Sequence, residues 1–95
     1  MLIHCLTCNF KESASSEQID TFHAALAALP HAIDVNIRTR HGRDLGDRPT
    51  NADYAVVSEF DSIEDFYTYL EHPAHQAISL DHLASWSSVQ FLVDD

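Results

Sequence analysis

Ninety-five residues with a mass of 10.7 kDa amount to one domain. Mass scaling gives about 5,500 Å² of folded surface against about 15,500 Å² unfolded, enough for one thin two-layer core and too little for a dinucleotide-binding domain or an eight-fold βα barrel. Fifteen acids against five bases leave a net charge of −10, which argues against nucleic acid or an anionic lipid surface as partner.

No apolar run approaches the ~20 residues of a membrane helix. The start, MLIHCLTCNF, has neither a basic n-region nor a small-residue cleavage site, so it does not read as a signal peptide. The cytoplasm is the expected compartment. Arg38, Arg40, Arg43 and Arg48 hold all the positive charge except Lys11. That cluster either seats a small anion or offsets the self-repulsion of the acids.

Residues 2–10 are β-rich and apolar on both faces. Leu2, His4, Leu6, Cys8 and Phe10 share one face, Ile3, Cys5, Thr7 and Asn9 the other. The Cys5-x-x-Cys8 pair falls within this strand. An odd separation of three puts the thiols on opposite faces, about 10 Å apart along the strand and beyond disulfide reach. With no second cysteine pair, two reduced core thiols are expected.

Ser15 followed by Gln18 is a capping-box pattern that opens a helix. Ile19, Phe22, Leu26 and Leu29 form its apolar stripe, and Pro30 is expected to stop it. Residues 33–41 alternate, with Ile33, Val35 and Ile37 inward, and read as a second strand. A charged loop carrying Pro49 and Gly46 follows.

Residues 54–60, YAVVSEF, read as a third strand. Ser62 caps a second helix whose inward residues are expected to be Ile63, Phe66, Tyr67 and Leu70. His72-Pro73 interrupts it, and Pro73 starts a further helical segment over 74–86. Residues 89–93 read as the last strand.

The order βαββαβ with right-handed crossovers predicts an α+β, ferredoxin-like fold over a single domain, 1–95. It is a four-stranded antiparallel sheet with the helices on one face. The other face, with Ile3, Cys5, Ala55 and Val57, needs cover. A second copy of the sheet supplies it, so a homodimer is expected.

Three stretches carry a resemblance. I-H-x-L-x-x-x-F-K from Ile3, Y-A-V-V-S-E-F-D-S-x-E-D from Tyr54 and Y-L-E-H-P-A-H from Tyr69 are similar to the stress-responsive A/B barrel (Dabb) family of dimeric α+β barrels. The resemblance runs from Ile3 to Asp94, and His72-Pro73-Ala74-His75 is its most specific piece. It implies a homodimer. Some members of the family are stress-induced stable proteins. Others are polyketide cyclases that close a poly-β-keto chain by aldol chemistry without metal or cofactor.

Carried over by motif, the cyclase site falls on His4, Tyr54, Tyr69 and His75. Two positions depart from the cyclase pattern. Tyr54 stands where those members have a histidine, and Ala25 and Leu26 stand where they carry a helix-1 tyrosine.

The residue types suit the chemistry. Aldol closure needs a base near neutral pH and a donor for the developing enolate oxygen, which a histidine and a tyrosine supply. His75, Tyr69 and His4 are the candidate catalytic residues. Leu6, Phe22, Tyr54, Val56, His72 and Trp86 are candidate ligand contacts. No metal and no cofactor are expected, since an HxxH broken by proline is a poor zinc signature.

Plainer readings stand beside these. His4 also reads as a hydrogen-bonded core histidine, His72 as an N-cap and the tyrosines as core aromatics. His23, His31, His41 and His82 read as solvated or packing residues.

Three functions follow. The first is a homodimer binding a small, largely apolar, aromatic or polyketide-like molecule, with cofactor-free aldol or cyclase-type activity. The second is a non-catalytic stress-protective or structural dimer, and the third a monooxygenase-like dimeric barrel. An open space beside His75 favours the first. A space filled by Phe22, Leu26, Phe66 and Trp86 favours the second.

Overall fold

The computed structural model describes residues 1–94. Its elements are β1 (Leu2–Phe10), α1 (Ser16–Ala32), β2 (Ile37–Arg43), β3 (Tyr54–Phe60), α2 (Ile63–Glu71), α3 (Pro73–Gln76) and β4 (Leu83–Leu92). The strands form one antiparallel sheet in the order β2-β3-β1-β4, the ferredoxin-like arrangement.

Local sequence explains the helix starts. Ser15 accepts from the Gln18 backbone at 3.1 Å while Gln18 Oε1 accepts from the Ser15 backbone at 2.9 Å. Ser62 accepts from the Asp65 backbone at 3.1 Å. The α1 stripe Ile19, Phe22, Leu26 and Leu29 is buried on the sheet.

Four boundaries differ from expectation. Pro30 does not stop α1, which runs two residues further. Proline has a helical φ, and this near the end it forfeits only one backbone hydrogen bond. Ile33 then caps the helix, its N–H donating to the Leu29 carbonyl at 3.2 Å, so β2 begins at Ile37 rather than 33.

The segment after Pro73 is helical only to Gln76, and β4 begins at Leu83 instead of 89. Pairing along the whole of β1, from Leu2↔Leu92 to Phe10↔Leu83, outweighs the helix preference read into 74–86. In α2 the inward residues are Phe66 and Tyr69, with Leu70 half-buried, while Ile63 and Tyr67 face solvent. The inward stripe is thus 66, 69 and 70.

The core lies between the helices and the inner sheet face, around Leu2, Cys8, Phe22, Leu26, Tyr54, Val56, Phe60 and Phe66. Cys5 and Cys8 point to opposite faces of β1 and both are free thiols.

The outer face is bare. Cross-strand register puts Ile3 beside Phe91 and Cys5 between Val57 and Val89. Val57, Val89 and Phe91 are between 42% and 57% exposed. The chain's accessible surface is 6314 Å². That exceeds the ~5,500 Å² expected for a monomer of this mass. No helix among the described residues is long and apolar enough to cross a membrane.

Candidate functional site

A cavity of about 440 Å³ opens between the inner sheet face and α2, α3 and the chain that follows. Seven of the expected residues line it: His4, Leu6, Phe22, Val56, Tyr69, His75 and Trp86. The alternation of β1 aims His4 and Leu6 inward. Tyr69 comes from the last turn of α2. The short helix that Pro73 starts returns His75 onto Tyr69, with ring centroids 4.6 Å apart.

Several polar side chains of this wall are partnered, Gln76 Nε2 donating to the Leu70 carbonyl at 2.7 Å and Gln90 Nε2 to Ser88 Oγ at 3.3 Å. The Tyr69 hydroxyl makes no hydrogen bond among the described residues, and His75 Nδ1 is buried without a partner. Burial pushes the Tyr69 phenol up to about 12, so it remains a donor at neutral pH. Burial lowers His75 below the ordinary imidazole value, with the Leu70 backbone carbonyl working the other way. His4 is lowered by burial and then by the charge of His75. A protonated imidazole at one position therefore disfavours a second. The chemistry this permits is proton transfer in a largely apolar cavity, with a neutral imidazole as acceptor and a phenol as donor.

Sequence reasoning missed Gln90. Its Nε2 lies 2.9 Å from His4 Nδ1, and with the amide as donor the proton of neutral His4 sits on Nε2. The signal was the β1–β4 register, which puts Gln90 opposite His4. Phe66, 5.0 Å from His4 ring to ring, completes that wall. Trp86 stands on β4 rather than on a helix. It is 55% exposed and forms part of the rim instead of filling the space.

Two expected contacts lie elsewhere. His72 caps α3, its Nδ1 accepting from the Ala74 backbone at 3.0 Å, and is not in the cavity wall. Tyr54 is also outside this wall. Its hydroxyl is held by His41 Nδ1 at 2.6 Å and His23 Nδ1 at 2.8 Å. Tyr54 pairs with Cys8 on β1, beyond the stretch that carries His4 and Leu6, so it shares their face but not their cavity.

The other histidines sort accordingly. His23 and His41 are a paired cluster rather than solvated singles. His82 is buried between Phe10 and Phe22, with Nε2 unpartnered among the described residues, beside a groove of about 510 Å³ between α1 and the chain from α3 to β4.

A ferredoxin-like sheet whose helix-covered face holds a histidine–tyrosine cavity defines a small-molecule-sized site in an α+β layer. Residues 2–94 match the stress responsive A/B barrel domain, and the chain belongs to that family. A solved dimeric ferredoxin-like protein of unknown function from Thermobifida fusca is 31% identical, with a TM-score of 0.85 over 97% of this chain and 90% of that one.

The hydroxynitrile lyase of Passiflora edulis is 20% identical, with a TM-score of 0.85 over 99% of this chain and 94% of that one. An antibiotic biosynthesis monooxygenase is 12% identical, with a TM-score of 0.74 over the whole of both chains. These last two are likenesses of fold. No curated protein matches the chain.

Proposed function

We propose that the chain works as a homodimer that binds a small, largely apolar molecule in the cavity beside His75 and carries out cofactor-free proton transfer of the lyase or aldol type. His75 is the general base, Tyr69 the donor to the developing oxyanion, and His4 the neighbour that limits the site to one imidazolium. One observation carries this reading. The Tyr69 phenol, protonated at neutral pH, and the His75 imidazole, lowered by burial so that it stays neutral, line the same open cavity. The cavity is open rather than filled by Phe22, Leu26, Phe66 and Trp86, which favours this reading over a purely structural dimer. That one structural neighbour is a hydroxynitrile lyase accords with lyase chemistry on this fold.

The test is fluorescence titration with a neutral phenol such as 2-naphthol, together with assays on β-keto and cyanohydrin substrates. His75→Ala is expected to weaken binding at least tenfold and to lower turnover by about 10²–10⁴. Binding and turnover unchanged in that variant return the chain to the structural-dimer reading.

The dimer rests on the bare face of Ile3, Cys5, Val57, Val89 and Phe91. The surface in excess of the monomer expectation is about what one partner buries in a standard interface. The dimeric description of the Thermobifida protein agrees. Val57→Glu places a charge in that face, and sedimentation is expected to show loss of the dimer. A compact wild-type monomer at micromolar concentration overturns the assembly.

A further inference from the structure

We propose that His23, His41 and Tyr54 form a binding site for a divalent transition-metal ion, copper(II) ahead of zinc(II), at the β2 side of the molecule and separate from the His75 cavity. Three donor atoms from three elements converge there. His23 comes from α1, His41 from β2 and Tyr54 from β3, and both Nδ1 atoms lie within 2.8 Å of the one phenol oxygen. The imidazole centroids are 4.4 Å apart.

The proton count of this cluster is restrictive. A phenol has one hydrogen, so with neutral rings only one Nδ1 accepts from it, and the other must donate to the oxygen. Two hydrogens and several lone pairs therefore point into one small volume. A cation there replaces the hydrogens and uses all three donors at once.

The distances permit the exchange. Bonds of about 2.0–2.1 Å set neighbouring ligand atoms about 3.3 Å apart at the tetrahedral angles of zinc(II) and about 2.9 Å apart at the right angles of tetragonal copper(II). The present contacts of 2.6 Å and 2.8 Å must open by about 0.1–0.3 Å for copper(II) and about 0.5–0.7 Å for zinc(II). His23 lies on the exposed surface of α1 and His41 is only half-buried, so both rings have room, and water completes the coordination.

The chain's net charge of −10 draws cations to it generally. Arg43, the cross-strand partner of Tyr54, repels a cation there but favours the phenolate, and Asp20 at 3.5 Å offsets part of its charge. Two imidazoles with an oxygen donor match copper(II), which also heads the order of divalent affinities. Binding breaks the phenol O–H bond, forms an O–metal bond and releases that proton to solvent, while the imidazole that donated through Nδ1 becomes the Nε2–H tautomer and ligates through Nδ1. Burial opposes that step, so a two-imidazole anchor is required first.

Copper(II) titration with visible absorption tests the site. The wild type is expected to show a phenolate-to-copper charge-transfer band that saturates at one equivalent and is displaced by excess zinc(II). Tyr54→Phe, which keeps the buried ring, is expected to abolish the band. His23→Gln, at an exposed position, and His41→Ala are each expected to weaken binding at least tenfold. Other surface histidines bind copper without this band. Copper binding with no band overturns the proposal, as does a band or affinity unchanged in His23→Gln, or no binding at one equivalent. None of these outcomes bears on the His75 cavity.

Discussion

Two tyrosines face the same layer between sheet and helices, and they are placed in opposite ways. Burial holds both phenols well above their ordinary value, at about 12. Tyr54, from β3, has two adjacent imidazoles against its hydroxyl. Tyr69, from α2, has no hydrogen-bond partner among the described residues and looks into a cavity beside His75. The two ends thus hold the same chemical types, one closed upon itself and one open. A phenol whose bonds are made within the protein must exchange them before it takes a ligand, and one with its bonds unmade takes a ligand directly. Burial or a pKa shift alone does not distinguish them, whereas partner geometry does.

Phe22 joins the two ends. It packs edge-on against Tyr54 at 5.4 Å and also lines the His75 cavity. Phe22→Ala is expected to show the largest effect, a loss of about 3–5 kcal/mol in denaturant unfolding. It merges the two regions, so both phenol binding and copper binding are expected to weaken. A loss under about 1 kcal/mol, with either site intact, breaks the view of one shared wall.

Tyr54→Phe comes next. It leaves two imidazole nitrogens facing a hydrocarbon edge, and a cost of about 1–3 kcal/mol is expected by the same measurement. The His75 cavity is not expected to register the change.

Acid is a milder probe of both ends. His4, His41, His75 and His82 all have values lowered below 6.5, with burial the leading cause. Above 6.5 neither folded nor unfolded chain carries these protons, and stability is unaffected. Below it the unfolded chain binds them first, so stability falls as pH drops and the loss is complete below the folded values. The thermal midpoint is expected to fall between pH ~7.5 and pH ~5.5. A midpoint that rises over this interval contradicts the lowered values.

Much of this was legible in the sequence, for local reasons. The Ser15–Gln18 and Ser62–Asp65 caps, the α1 stripe and the alternation of β1 and β3 are signals carried by neighbours in the chain. The start of β4 was not legible, because Ser85, Ser87 and Ser88 have weak preferences and only pairing with β1 decides their state. His75, Tyr69 and His4 were singled out through the family's motifs, and the structure brings the three to one cavity. Tyr54 and His72 were misplaced for opposite reasons. His72 turns back to cap its own helix, a purely local event. Tyr54 lies on the expected face, but its position along the strand puts it past the cavity's edge. The pairing of His23 with His41 depends on how α1 lies against β2, a contact between elements that local patterns do not encode.

Tyr69→Phe separates the two tyrosines with the smallest structural effect. The Tyr69 ring packs against Phe60 at 5.1 Å and His75 at 4.6 Å, and phenylalanine preserves both contacts. The lost hydroxyl leaves no described partner stranded, so unfolding stability is expected to stay within about 0.5 kcal/mol of wild type. If the hydroxyl is the donor to a ligand oxygen, titration with 2-naphthol is expected to weaken about tenfold all the same, as for one lost hydrogen bond in a largely apolar cavity. The pair of readouts is what decides. Unchanged stability with weakened binding places the hydroxyl in the ligand's service. A stability loss as large as that of Tyr54→Phe makes Tyr69 a second closed cluster, and the contrast between the two ends is then lost.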